Sequence, residues 1–130
     1  MMLNVDPQTV CFIIDKAREF HAKEGVSIPE MTTSPSDDWA LQVLADHRDD
    51  MTYGELQSTI NDLEPDQQVE LVALMWVGRG DFDADDWEGA TENAKDEWNK
   101  RTAEYLIATP LLADYLAEAL NQFGYSCEED

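Results

Sequence analysis

Pro65-Asp66-Gln67-Gln68-Val69-Glu70-Leu71-Val72-Ala73-Leu74-Met75-Trp76-Val77-Gly78-Arg79-Gly80, PDQQVELVALMWVGRG in one-letter code, decides the fold. Wound as a helix, Val69, Leu71, Val72, Leu74, Met75, Trp76 and Val77 leave it apolar around most of its circumference, and a soluble helix of that kind sits at the centre of its domain. Pro65 suits the first helical position, where its missing N–H had no partner anyway. Gly78 and Gly80 are read as the stop, because glycine enters the left-handed conformation that closes helices. The apolar run Leu71–Val77 is far shorter than the roughly 20 residues needed to cross a bilayer, so no membrane span is expected.

Amphipathic helices are expected on both sides of it. Asp6-Pro7 opens a first helix with Val10, Ile13, Ile14, Ala17 and Phe20 or His21 on one face and Gly25 as its stop. The stretch from 26 to 36, VSIPEMTTSPS, reads as a long loop. A short helix carrying Trp39, Val43, Leu44 and His47 follows. Thr52-Tyr53-Gly54-Glu55 then reads as a capping box opening a helix with Tyr53, Leu56, Ile60 and Leu63 inward.

Beyond the central helix, Trp87, Ala90, Ala94, Trp98 and Tyr105 trace one face of a long helix, with Asp96–Lys100 and Glu97–Arg101 as supporting (i, i+4) pairs. Thr109-Pro110 starts a last helix that Gly124 ends, with Leu112, Tyr115, Leu116, Ala119, Leu120 and Phe123 inward. The expectation is all-α: a compact single-domain bundle of five to six helices over residues 1–130, with a short acidic tail at 126–130. Segments 84–107 and 110–123 should pack across the central helix as an antiparallel hairpin.

The sequence carries 29 Asp and Glu against 8 Lys and Arg, a formal charge of −21. Such a field repels phosphate backbones and anionic lipid, so direct nucleic-acid binding and membrane docking are disfavoured, and basic partners or cations are favoured. The same charge also serves solubility. Cys11 and Cys127 lie near opposite ends without CxxC spacing, and the start MMLNVDPQTV has no secretory pattern, so a cytoplasmic location is expected.

The junction Gly78–Glu92, GRGDFDADDWEGATE, carries the sharpest local signals. Arg79-Gly80-Asp81 as an adhesive tripeptide needs an extracellular loop that nothing else suggests. Asp81, Asp83, Asp85 and Glu92 occupy positions 1, 3, 5 and 12 of a calcium loop, but Asp86 stands where the turn glycine belongs and Glu88 where an apolar residue belongs. The simplest reading is a helix start capped by Asp83, with Asp86 complementing the helix dipole. Gly89, costly inside a helix, signals close packing there. Arg79 is expected to pair with Asp81, Asp83 or a carboxylate of another helix and so lock the junction.

Catalytic signatures are missing: there is no GxSxG, HExxH, GxxxxGK[ST] or GxGxxG. Arg18 and Leu44 stand three residues before His21 and His47, so the Glu-x-x-His pair of di-iron bundles is missing as well. The histidines read as boundary residues rather than ligands, and a meeting of Cys11, His21 and His47 in space is left open.

Taken together, VCFIIDKAREFHAKE (10–24), VELVALMWVGRGDFDADDW (69–87), TAEYLIATPLLADYLAEAL (102–120) and GYSCEED (124–130) resemble a family of small, acidic, uncharacterised bacterial proteins, the domain of unknown function 3775. The resemblance implies an all-helical soluble protein and brings no activity, cofactor or catalytic residue.

The functional expectation is a non-enzymatic cytosolic interaction or adaptor domain without cofactor. It would meet an unidentified, basic protein partner through Trp76, Arg79, Asp81, Phe82 and Trp87. A homo-oligomer is a further partner class. The alternatives are a cation-binding protein using Asp81, Asp83, Asp85 and Glu92, an acidic mimic of nucleic acid for a basic partner, and an enzyme of unrecognised type.

Overall fold

The computed structural model describes residues 3–22, 50–109 and 111–127. Within them the chain forms six α-helices: α1 (Pro7–His21), α2 (Met51–Asn61), α3 (Pro65–Arg79), α4 (Trp87–Glu97), α5 (Thr102–Ile107) and α6 (Leu112–Gln122), with a single 3-10 turn, Ala84–Asp86, before α4. No described residue belongs to a strand.

Asp6 caps α1 by accepting from the Gln8 amide at 2.9 Å, with Pro7 in the first turn. The expected stripe Val10, Ile13, Ile14, Ala17 and Phe20 is buried, but the helix closes at Ala22, earlier than the expected stop at Gly25. The expected 26–36 loop, the helix carrying Trp39, and His47 lie outside the described residues. For α2 the cap is Asp50, which accepts from the Tyr53 amide at 3.0 Å, rather than Thr52. The two residues of the expected capping box reach across to α1 instead. Thr52 donates to Glu19 at 2.9 Å, and Glu55 meets Lys16 at 3.0 Å.

Helix α3 holds the centre, as its all-round apolar surface requires, with every residue from Gln68 to Val77 buried. It packs against α6 and α4 most extensively, and against α5. Gly80, at φ 97°, ends it, and its amide together with that of Asp81 satisfies the last-turn carbonyls of Trp76 and Val77. Gly78 has a different role from the expected stop. A Cβ built there would lie 1.8 Å from the Tyr115 carbonyl oxygen, so this glycine is where the backbones of α3 and α6 touch.

The long helix expected between 84 and 107 is broken in two. After Glu97 the chain turns extended at Trp98, whose indole N–H donates inward to Gln68 Oε1 at 2.8 Å. Asn99 then accepts from the Arg101 amide at 2.6 Å, while the Thr102 hydroxyl donates to the Asn99 carbonyl at 2.8 Å. Side chains that bond the local backbone offer the chain a turn in place of a helix, and here the turn wins. Lys100 and Arg101 therefore leave the helix, and the expected (i, i+4) pairs with Asp96 and Glu97 have no helical geometry to act through.

Cys11 and Cys127, which lie near opposite ends of the sequence without CxxC spacing, form a disulfide that ties α1 to the segment after α6. A separation of 116 residues carries no spacing signal that a sequence reading could use. Cys11 is thereby taken from any shared site with His21, which stands ten residues further along the same helix, roughly 15 Å away.

His21 is half-buried, and its Nε2–H donates to the Ile107 carbonyl at 2.9 Å, the tautomer following from a partner that can only accept. Burial pulls its pKa below the ordinary 6.5, and the bond to Ile107 opposes this only in part. A depressed pKa makes the neutral ring's contribution complete above pH 6.5 and lost as pH falls through the lower folded value. Because protonation also relieves repulsion in a chain of charge −21, the quantity to read is a difference. The stability of wild type minus that of His21→Gln, from urea unfolding, should fall as pH drops below 6.5 and stay flat above it.

Candidate functional site

The junction between α3 and α4 is a lock. Arg79 Nε donates to Asp81 Oδ2 at 2.8 Å, and a terminal guanidinium nitrogen stands 2.6 Å from the same oxygen, so the expected pairing of Arg79 is present. Burial alone would lower the Arg79 pKa, but Asp81 and the Tyr105 hydroxyl more than reverse that and raise it. The buried Trp76 donates its indole N–H to Tyr105 Oη at 3.1 Å and stacks on Phe82 with centroids 5.9 Å apart. Gly80 turns the chain so that Asp81 returns to Arg79 and Phe82 folds back over Trp76. Trp76, Arg79, Asp81 and Phe82 thus spend their contacts inside the molecule.

Trp87 separates from those four. It begins α4, packs edge-on against Phe123 with ring centroids 5.0 Å apart, and is half-buried. It also lines a groove of about 360 Å³. Along α4 the groove runs past Trp87, Glu88, Thr91, Glu92 and Lys95, and the opposite wall is Asn4 with Asp66, Val69 and Glu70 of α3.

Glu70 is buried because both carboxylate oxygens are occupied, accepting from the Asn4 and Val5 amides at 3.0 and 2.8 Å. Asp66, Glu88 and Glu92 are solvent-exposed. Four carboxylates thus face one ammonium, that of Lys95, around a half-covered indole. An aromatic face beside concentrated negative charge suits an alkylammonium or guanidinium group, which gains from the ring quadrupole and the carboxylates together.

The carboxylates with calcium-loop spacing are placed otherwise. Asp81 is engaged with Arg79, the 3-10 turn Ala84–Asp86 contains Asp85, and Glu92 is in the second turn of α4. Among the described residues no three His, Cys, Asp or Glu side chains converge as a metal site would require. The expected cap at Asp83 makes no side-chain bond, and α4 begins only at Trp87. At Gly89 a Cβ would stand 2.7 Å from the Asp86 carboxylate, a side-chain tip over the first turn that can turn aside.

A second polar cluster joins α2 to α5, where Gln57 Nε2 donates to Glu104 Oε2 at 2.5 Å and stands 3.5 Å from Tyr53 Oη. Glu104 Oε1 is buried without a hydrogen-bond partner. Tyr105, Gln68, Glu70 and Glu104 were invisible as functional or structural polar residues in the sequence, since each is defined by a partner 29 to 66 positions away.

No described helix is long and apolar enough to cross a membrane. The family described as "Protein of unknown function (DUF3775)" matches residues 53–125, which is more than half of the 130 residues, and the chain belongs to it. The matched span takes in nearly all of α2 and the whole of α3 to α6, hence the lock and every groove residue except Asn4. No curated protein and no solved structure matches.

Proposed function

We propose that this member of the DUF3775 family is a non-enzymatic interaction domain of the cytoplasm whose groove along α4 receives a basic segment of a protein partner. The observation that carries the reading is the half-covered Trp87 indole set among Asp66, Glu88 and Glu92. A Lys or Arg side chain laid on that ring gains ~0.5–1 kcal/mol from cation–π attraction at a partly exposed site, and the surrounding charge speeds its arrival. The lock at Arg79 and Asp81 acts behind this surface by fixing where α4 starts. The partner surface expected from Trp76, Arg79, Asp81, Phe82 and Trp87 is accordingly narrowed to Trp87 and its carboxylate neighbours.

A cation site using Asp81, Asp83, Asp85 and Glu92 has less support, because Asp81 is already neutralised by Arg79. Mimicry of nucleic acid and association of two copies have no specific observation in their favour.

Calorimetric titration of a short Lys/Arg-rich peptide tests the proposal. Trp87→Ala should weaken binding by about fivefold, corresponding to the loss of ~1 kcal/mol of cation–π attraction. Glu88→Gln with Glu92→Gln should weaken it further and reduce its salt dependence. Equal binding by wild type and Trp87→Ala, or equal binding of a neutral peptide, would sink the reading. A stoichiometric calcium, magnesium or zinc site lost on Asp83→Ala would favour the cation reading instead.

A further inference from the structure

The one covalent crosslink lies at the edge of the fold. The large side chains that are fully buried, from Ile13 and Phe20 through Leu71 and Met75 to Ile107, include neither cysteine. Helices α1 and α6 pack directly on each other, and Arg18 adds a weak ion pair with Asp114 at 3.9 Å. Contact between these two helices therefore does not require the Cys11–Cys127 bond.

The bond holds the segment that follows α6. Gly124, at φ 87°, turns the chain out of the helix, and the Tyr125 amide returns to the Leu120 carbonyl at 2.8 Å. Beyond Tyr125 there is no regular structure up to Cys127. Ser126 and Cys127 form one wall of a cleft of about 370 Å³ whose other walls are Asp15 and Arg18 of α1 and Ala117 and Asn121 of α6. Both cysteines are partly exposed, and the Cys127 side of the bond opens on that cleft. An exposed disulfide is the kind that thiols reach and exchange with.

The geometry points to a reversible redox clasp: reduction of Cys11–Cys127 by a dithiol releases Cys127 from α1 and opens the α1–α6 cleft at Ser126 and Cys127, while the helical core and the Tyr125–Leu120 bond stay in place. A thiolate of the reductant attacks the Cys127 sulfur from the cleft, breaking the S–S bond and forming a mixed disulfide. Cys11 leaves as a thiolate and takes up a proton. The reductant's second thiol then closes on the first, expelling Cys127, which is protonated in turn. Two electrons and two protons pass to the protein, and the reductant departs as its own disulfide. Both cysteines lie outside the family-matched span 53–125, and the clasp holds whether or not the groove at Trp87 binds a partner.

Dithiothreitol added to the native protein without denaturant tests this, followed by iodoacetamide labelling, far-ultraviolet circular dichroism and hydrogen exchange read by mass. Two carboxamidomethyl groups should be added with the helical signal retained. Exchange at 126–127 should quicken by at least about tenfold while that of α3 stays the same, as expected for local rather than global opening. Oxidised glutathione should restore the slow exchange. Cys127→Ser should behave like the reduced protein under non-reducing conditions. The proposal is overturned if labelling needs denaturant, if exchange at 126–127 is unchanged by reduction, or if either reduction or Cys127→Ser abolishes the helical signal. That last result would make the bond a structural staple.

Discussion

Gly78→Ala is expected to destabilise the protein by on the order of 2–3 kcal/mol, although alanine is the better helix former. The propensity gain is ~1 kcal/mol. Against it, the new methyl would stand 1.8 Å from the Tyr115 carbonyl oxygen, a backbone atom that cannot swing away as a side-chain tip can. Relief requires moving α6 off α3, and overpacking of this sort costs ~1–3 kcal/mol and occasionally more. Here it falls on the most extensive helix–helix contact of the described residues, so the upper end applies.

Gly54→Ala is the control. It too lies inside a helix, but nothing stands within 4 Å of its missing Cβ, and the substitution should stabilise by up to ~1 kcal/mol. Thermal unfolding should move in opposite directions for the two, with Gly78→Ala lower by about 10 °C. A Gly78→Ala protein that melts at or above wild type would show that the backbones do not touch there.

Gln68→Leu should cost about as much, from chemistry rather than crowding. The Gln68 amide nitrogen donates to the carbonyls of Ile60 and Leu63, and its oxygen accepts from the Trp98 indole. One buried side chain thereby caps the end of α2, anchors the start of α3 and fixes the end of α4. Leucine keeps most of the volume and none of the bonds. The Leu63 carbonyl and the Trp98 indole N–H lose their partner, while the Ile60 carbonyl keeps the Leu63 amide, and each polar group left unsatisfied in a buried setting costs ~1–3 kcal/mol. A total on the order of 3 kcal/mol is expected from urea unfolding, because solvent reaches the Leu63 and Trp98 ends. The double variant with Trp98→Phe should be less than additive by about 1 kcal/mol, since the indole bond can be lost only once. Strict additivity, or a single-variant cost under about 1 kcal/mol, would show that Gln68 does not connect these helices.

These two residues mark where the sequence stopped being legible. Local signals carried well: the all-round apolar surface of α3, the cap at Asp6, the helix start at Pro65, the stop at Gly80, and the pairing of Arg79 with Asp81 two positions away. Gly78 was misread because its neighbour, Tyr115, is 37 positions off, and a glycine near a helix end looks like a stop when only the local chain is considered. The break at Trp98–Arg101 was missed because apolar spacing runs straight through it. What ends α4 is the preference of Asn99 and Thr102 for bonding nearby backbone, a local effect that competes with periodicity rather than appearing in it.

At the groove the same division holds. Trp87 stood out from the start, whereas Asp66 and Glu70 could join it only once α3 and α4 had been laid side by side. The disulfide was beyond reach for the same reason, being a pairing of chain ends that only the finished bundle brings together.

The anchoring of Asn4 and Val5 by the Glu70 carboxylate has a practical consequence. Because Asn4 is itself part of the groove wall, any peptide fused ahead of it emerges at the rim, next to Trp87 and three exposed carboxylates. If the groove takes a basic segment as proposed, a Lys-rich affinity handle at that end is a tethered basic ligand at high local concentration, occupying that same surface. Purification handles for this protein therefore belong after residue 130, and preparations tagged at the front should be cleaved before any partner is sought.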